Sequence, residues 1–141
     1  MVFNDSDLQL WQVPRNVYRQ CLVSDAELRR RVATQGPTGQ LLYAAVQQVA
    51  QNMWSVGAGF SETYALGDSP LVLLTALQSF FEPDPSSSTD VTLPRPTFDD
   101  RGVATPNPAG HPVRVWTRVD IRLMLEDMFC KLEALARWQT M

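Results

Sequence analysis

The chain has 141 residues, with 12 basic and 15 acidic side chains, a net charge of -3 at pH 7 and 45% hydrophobic residues. That balance describes one globular domain rather than a disordered chain, and a pI near 5.0 argues against loose electrostatic attraction to nucleic acid or an anionic membrane. The longest apolar run, Leu71 to Leu77 broken only by Thr75, is too short to span a bilayer, and Asp5 and Asp7 stand where a signal peptide carries bases. A soluble, unexported protein is expected, without a membrane partner.

Pro14 suits a first helical turn, and Val17, Cys21, Leu22, Leu28 and Val32 draw a partly apolar helical face toward Ala33. Within it Ser24-Asp25-Ala26-Glu27 fits a capping box, so the stretch is one kinked helix or two short ones. Gln35-Gly36-Pro37 ends it. Thr38 caps a second helix whose stripe is Leu41, Leu42, Ala45, Val49, Asn52 and Met53, ending near Trp54 or Ser55. A Gly-rich connector, Val56 to Gly59, leads to Phe60–Tyr64, whose alternation suits a short extended piece.

Asp68-Ser69-Pro70 starts a third helix, running to Phe81 and apolar nearly all round, which places it in the middle of the core. From Glu82 to Pro112 the chain holds seven of its ten prolines, a density of breakers that reads as one long loop. The fourth helix, Thr117 to Trp138, carries the stripe Ile121, Leu125, Met128, Leu132 and Leu135. Opposite charges four apart, Arg122–Glu126, Asp127–Lys131 and Glu133–Arg137, line its outer side. The expectation is an all-α fold: a single domain, 1–141, built as a four-helix bundle with a long Pro-rich loop, 82–112, between helices three and four.

One histidine, His111, and two distant cysteines, Cys21 and Cys130, assemble no catalytic triad, disulfide framework or metal site. No enzyme activity, cofactor or metal is expected, and no small-molecule substrate. Both cysteines fall on apolar helical faces and read as buried free thiols. Of the twelve bases, eleven are arginine, the residue suited to bidentate grip on phosphates and buried pairs. Arg114, Arg118 and Arg122 cluster before and within the first turns of the fourth helix, where the dipole disfavours cations, with Asp120 among them. Such a cluster suits an anion, phosphate above all. It equally suits ion pairs of Arg122 with Glu126 and of Arg118 with Asp99 or Asp100. Trp116 adjoins the arginines and could stack on a base.

Trp11, Pro14 and Cys21, with the spacing Trp-x2-Pro-x6-Cys, resemble the opening of the coat proteins of rod-shaped plant RNA viruses, the tobamovirus-like family. Trp54 is similar to the tryptophan that ends that family's second helix, and Asp68-Ser69-Pro70-Leu71-Val72 to its Asp-Pro-Leu-Val helix start. Thr117-Arg118-Val119-Asp120 resembles the Arg-Val-Asp segment that opens its fourth helix and contributes to its RNA-binding surface. Arg95 and Arg101 are loosely comparable to the arginines that the family places after its third helix. The resemblance implies a capsid subunit that polymerises into a helical rod around single-stranded genomic RNA, found in the virion and the host cytoplasm. Multivalency would then let an acidic subunit bind RNA through one small patch. The competing expectation is a small helical adaptor or chaperone that binds a protein partner through the long loop.

Overall fold

A computed structural model describes residues 2–57, 62–76 and 87–141. The connector residues 58–61, the end of the expected third helix at 77–81 and the start of the expected loop at 82–86 lie outside it. Among the described residues there are six helices and seven strands. The all-α four-helix bundle is therefore corrected to a mixed α/β fold. The chain divides into two compact units, one of 1–17 and 78–120, the other of 18–77 and 121–141.

The first unit is built on a three-stranded sheet. Its strands are β1 (Leu10–Gln12), β4 (Thr89–Pro94) and β7 (Pro112–Arg118), with β7 in the centre. β1 runs parallel to β7 and β4 antiparallel to it. The β7 sequence, Pro-Val-Arg-Val-Trp-Thr-Arg, is buried on both faces at its middle, with Val113 on one side and Trp116 on the other. The prolines that argue for a loop instead bound the ladder. Pro94 and Pro112 face each other at its last rung, where a missing N–H costs little. A short hairpin, β5 (Thr97–Phe98) with β6 (Ala104–Thr105), occupies more of the expected loop. Asp99 shapes its turn by accepting from the N–H groups of Arg101 at 2.9 Å and Val103 at 2.8 Å, and Gly102 supplies the left-handed φ of 77°.

The N-terminal segment is tied to this hairpin. Helix α1 (Val2–Asp5) presents Asn4, whose side-chain amide donates to the Phe98 carbonyl at 2.9 Å and accepts from the Phe98 N–H at 3.0 Å. The Phe3 ring meets the Phe98 ring edge-on at 4.8 Å.

The second unit is mainly helical. Its helices are α3 (Asp25–Arg31), α4 (Gly36–Ser55), α5 (Pro70–Ala76) and α6 (Ile121–Gln139), and the strands β2 (Leu22–Ser24) and β3 (Thr63–Ala65) pair antiparallel. The expected first helix is thus divided: α2 (Arg15–Tyr18), an extended stretch, then α3. Half of the expected capping box forms and marks the new start: Ser24 Oγ accepts from the Glu27 N–H at 3.1 Å, while the Glu27 carboxylate lies 3.6 Å from Arg31. Cys21, Leu28, Leu74, Met124 and Phe129 are among the buried residues. Burial pushes the Cys21 thiol up, whereas Cys130 is exposed, against expectation. The third helix buries one face only: Pro70, Leu73 and Leu74 are buried, and Leu71 and Val72 face solvent.

Helix α4 reverses its expected orientation. Leu41, Leu42, Val49 and Met53, the stripe assigned to the core, are exposed. The opposite side turns inward. Its Tyr43 hydroxyl and Gln47 amide donate to Asp25 Oδ1 at 3.1 and 2.6 Å, and Arg29 holds Oδ2 at 2.8 Å. Loss of water pushes this carboxyl up, but the three donors outweigh it and hold the group below the usual aspartate range.

Candidate nucleic-acid interface

Arg114 occupies the centre of the three-stranded sheet, level with Trp11 on β1 and Thr92 on β4. Its guanidinium carbon lies 4.9 Å from the Trp11 ring centre and 4.5 Å from that of Trp116, and the two rings meet edge-on at 5.8 Å. Asp90 takes the polar edge of the same group, with both contacts at 2.8 Å. The Asp90 hydrogen bond also holds the guanidinium more firmly protonated than usual. Two ring faces and a bidentate carboxylate commit Arg114 to the sheet. Trp116 is 1% exposed, so a base has no ring face to stack on there.

Arg95 is committed further still. It is 3% exposed, and its guanidinium donates to the carbonyls of Phe3, Ser6 and Leu8 at 3.3, 2.9 and 2.9 Å. A buried cation needs acceptors, and these three carbonyls supply them to the two terminal nitrogens of the arginine fork. Gly110 lets the backbone of Arg95 pass close by, because a Cβ there would sit 2.1 Å from the Arg95 carbonyl oxygen. Arg101 is exposed and keeps a local ion pair with Asp99 at 3.5 Å.

Arg118 is placed differently from its expected position. It ends β7, paired in register with Thr89, and the helix begins three residues later at Ile121. The argument from a cation in a helix first turn therefore applies to Arg122, not to Arg118. Arg122 is exposed in the second unit, and its expected partner Glu126 is held by Arg31 instead. Among the described residues Arg118 has no ion pair, and it is exposed.

The same end of the sheet carries three hydroxyl side chains. The Thr89 and Thr117 hydroxyl oxygens are 3.0 Å apart, and Ser88 Oγ accepts from the Asp120 N–H at 3.0 Å. The sheet thus brings Arg118, Ser88, Thr89, Thr117 and Asp120 to one end of β7, and keeps Arg95, Arg101 and Arg114 in separate structural roles. The hydroxyls escaped sequence reasoning because Thr89 and Thr117 are 28 positions apart. Only the strand pairing brings them together.

No protein family, curated protein or solved structure matches the chain. No helix among the described residues is long and apolar enough to cross a membrane.

Proposed function

We propose that the chain is a structural subunit that self-associates on single-stranded RNA, as a capsid protein does, and grips the phosphates locally through Arg118. The observation that carries this reading is that Arg118 is exposed and, among the described residues, has no ion pair, at the end of the strand where Ser88, Thr89 and Thr117 also stand. Arginine and hydroxyl donors at a strand end can hold a phosphate without reading a base. A subunit offering so few contacts binds weakly alone and tightly in an array.

The test is fluorescence anisotropy with oligo(U) and a mixed-sequence RNA over a range of salt. Arg118→Gln should weaken binding to both RNAs alike and lower the salt slope by about one. The fold should be unaffected, since an exposed site of this kind shifts stability by no more than about 0.5 kcal/mol. Equal affinity and equal salt slope in parent and variant would overturn the assignment.

A further inference from the structure

We infer that the outward face of α4 is the interface between two copies of this chain, which meet there antiparallel about a twofold axis. The inference rests on the self-association half of the reading above and is independent of RNA contact. On this face Leu41 is 71% exposed, Leu42 44%, Val49 42% and Met53 49%. Helix spacing of four aligns Leu41, Ala45, Val49 and Met53 in one row. An apolar row pointing away from its own unit, while Tyr43 and Gln47 point in, is the inverse of an ordinary amphipathic surface helix.

The chemistry of this face selects the occupant. From Val32 to Ser61 the sequence holds no Asp, Glu, Lys or Arg. A charged partner finds nothing to pair with, and a membrane-surface helix would carry lysine or arginine along its polar side. A second copy of a chain with net charge -3 meets no like charge on this helix. The polar residues flanking the row, Gln48 and Asn52 among them, are amides that donate and accept at once, and so can pair with themselves across a twofold axis. They already do so within the helix, where Gln48 donates to Asn52 at 3.1 Å.

The register follows from the row. Antiparallel packing sets Leu41 opposite Met53 and Ala45 opposite Val49 of the second copy. The start of α4 abuts the end of α6, where Gln139 donates to Thr38 at 3.5 Å and Ala136 lies against Gly36. Trp138 is 73% exposed near that end of α6. A helix face of about 30 Å by 10 Å offers roughly 300 Å² per copy, below the ~800 Å² per partner of a standard interface. The pairing is accordingly weak and concentration-dependent, as a repeating assembly contact should be.

The experiment is sedimentation equilibrium of the full chain from about 1 to about 100 µM, with circular dichroism to check folding. Val49→Glu should lower the association constant at least about tenfold, because each copy then places an unpaired carboxylate against the apolar Ala45 of the other. Adding Ala45→Lys to Val49→Glu should restore association, which only the antiparallel register allows. In a Cys130→Ser background, oxidation of a mixture of Leu41→Cys and Met53→Cys chains should give the mixed disulfide dimer. Cross-linking of Leu41→Cys alone, as a parallel pair would give, overturns the register. If the parent associates and Val49→Glu associates equally, the α4 interface falls and self-association stands. If the parent stays monomeric throughout, with or without RNA, self-association itself falls.

Discussion

Arg31 grips Glu126 with both ends of its guanidinium, at 2.6 and 2.8 Å, and lies 4.2 Å over the Phe129 ring. This one side chain ties the end of α3 to α6 through a fork and a ring face together. The Arg31 hydrogen bonds outweigh the loss of water at Glu126 and hold its carboxyl below the ordinary glutamate value of 4.5. A depressed carboxylate contributes stability above its unfolded value and loses it as pH falls through its folded value. Glu126→Gln should therefore melt earlier than the parent at pH 7, and the gap should narrow as pH falls below 4.5 and close once the folded carboxyl is protonated. Thermal melts followed by circular dichroism across that range check it. A gap that stays constant with pH would show that the pair contributes by packing alone.

Arg95 offers a sharper test of stability. Replacing it by leucine keeps the volume roughly but strands the carbonyls of Phe3, Ser6 and Leu8 without their donor. Phe3 and Ser6 are half-buried and Leu8 is exposed, so water replaces part of what is lost, and at ~1–3 kcal/mol per unsatisfied group the loss should be about 2 kcal/mol in urea denaturation. Arg95→Lys should recover only part of it, since one ammonium cannot reach three separated acceptors in a fork. Hydrogen exchange should report faster opening at Asn4 and Phe98 in both variants.

Gly39 inverts a familiar rule. Alanine for glycine in a helix ordinarily stabilises by up to about 1 kcal/mol. Here a Cβ would lie 2.0 Å from the Val32 carbonyl oxygen, and a backbone atom at the end of α3 cannot swing aside. Gly39→Ala should destabilise by about 1–3 kcal/mol. The same change at Gly57 meets no atom within 4 Å but must accept a φ of 78°, so its cost comes from backbone strain alone.

The long-period stripe of α6 is readable in the sequence, and so in part is the alternation of Phe60–Tyr64, where β3 takes Thr63–Ala65. The α6 stripe places that helix correctly except at its start, where Thr117 and Arg118 are drawn into β7 by pairing with Thr89. Two of the three expected charge pairs along it form, Asp127–Lys131 and Glu133–Arg137. The third yields to Arg31, a residue no spacing rule could connect to Glu126. The region 87–112 read as loop because prolines were weighed as breakers throughout, whereas Pro94 and Pro112 only close a ladder. The direction of α4 was beyond reach for another reason. Periodicity finds a stripe, but only the position of Asp25 decides which side of the helix turns toward it.

In the candidate site, the residue type at Arg118 was legible and its setting was not. Arginine clustering drew attention to Arg114, Arg118 and Arg122 alike, yet the sheet gives Arg114 two tryptophan faces and Asp90. Cation–π stacking of this kind needs Trp11, more than a hundred positions away in sequence.

That same distance has a consequence for how the protein is made. β1 pairs in parallel with β7 over about 100 residues of intervening chain, a closure that slows folding more than any local contact in the molecule. At ~5–20 residues per second, the first strand leaves the ribosome roughly 5–20 s before its partner exists. Over that interval Leu10, Trp11 and Gln12 present an unpaired edge, and the carbonyls of Phe3, Ser6 and Leu8 await Arg95. Nascent chains crowded on one message would meet during this window, so sheet completion is the step at which errors of pairing between neighbouring chains arise.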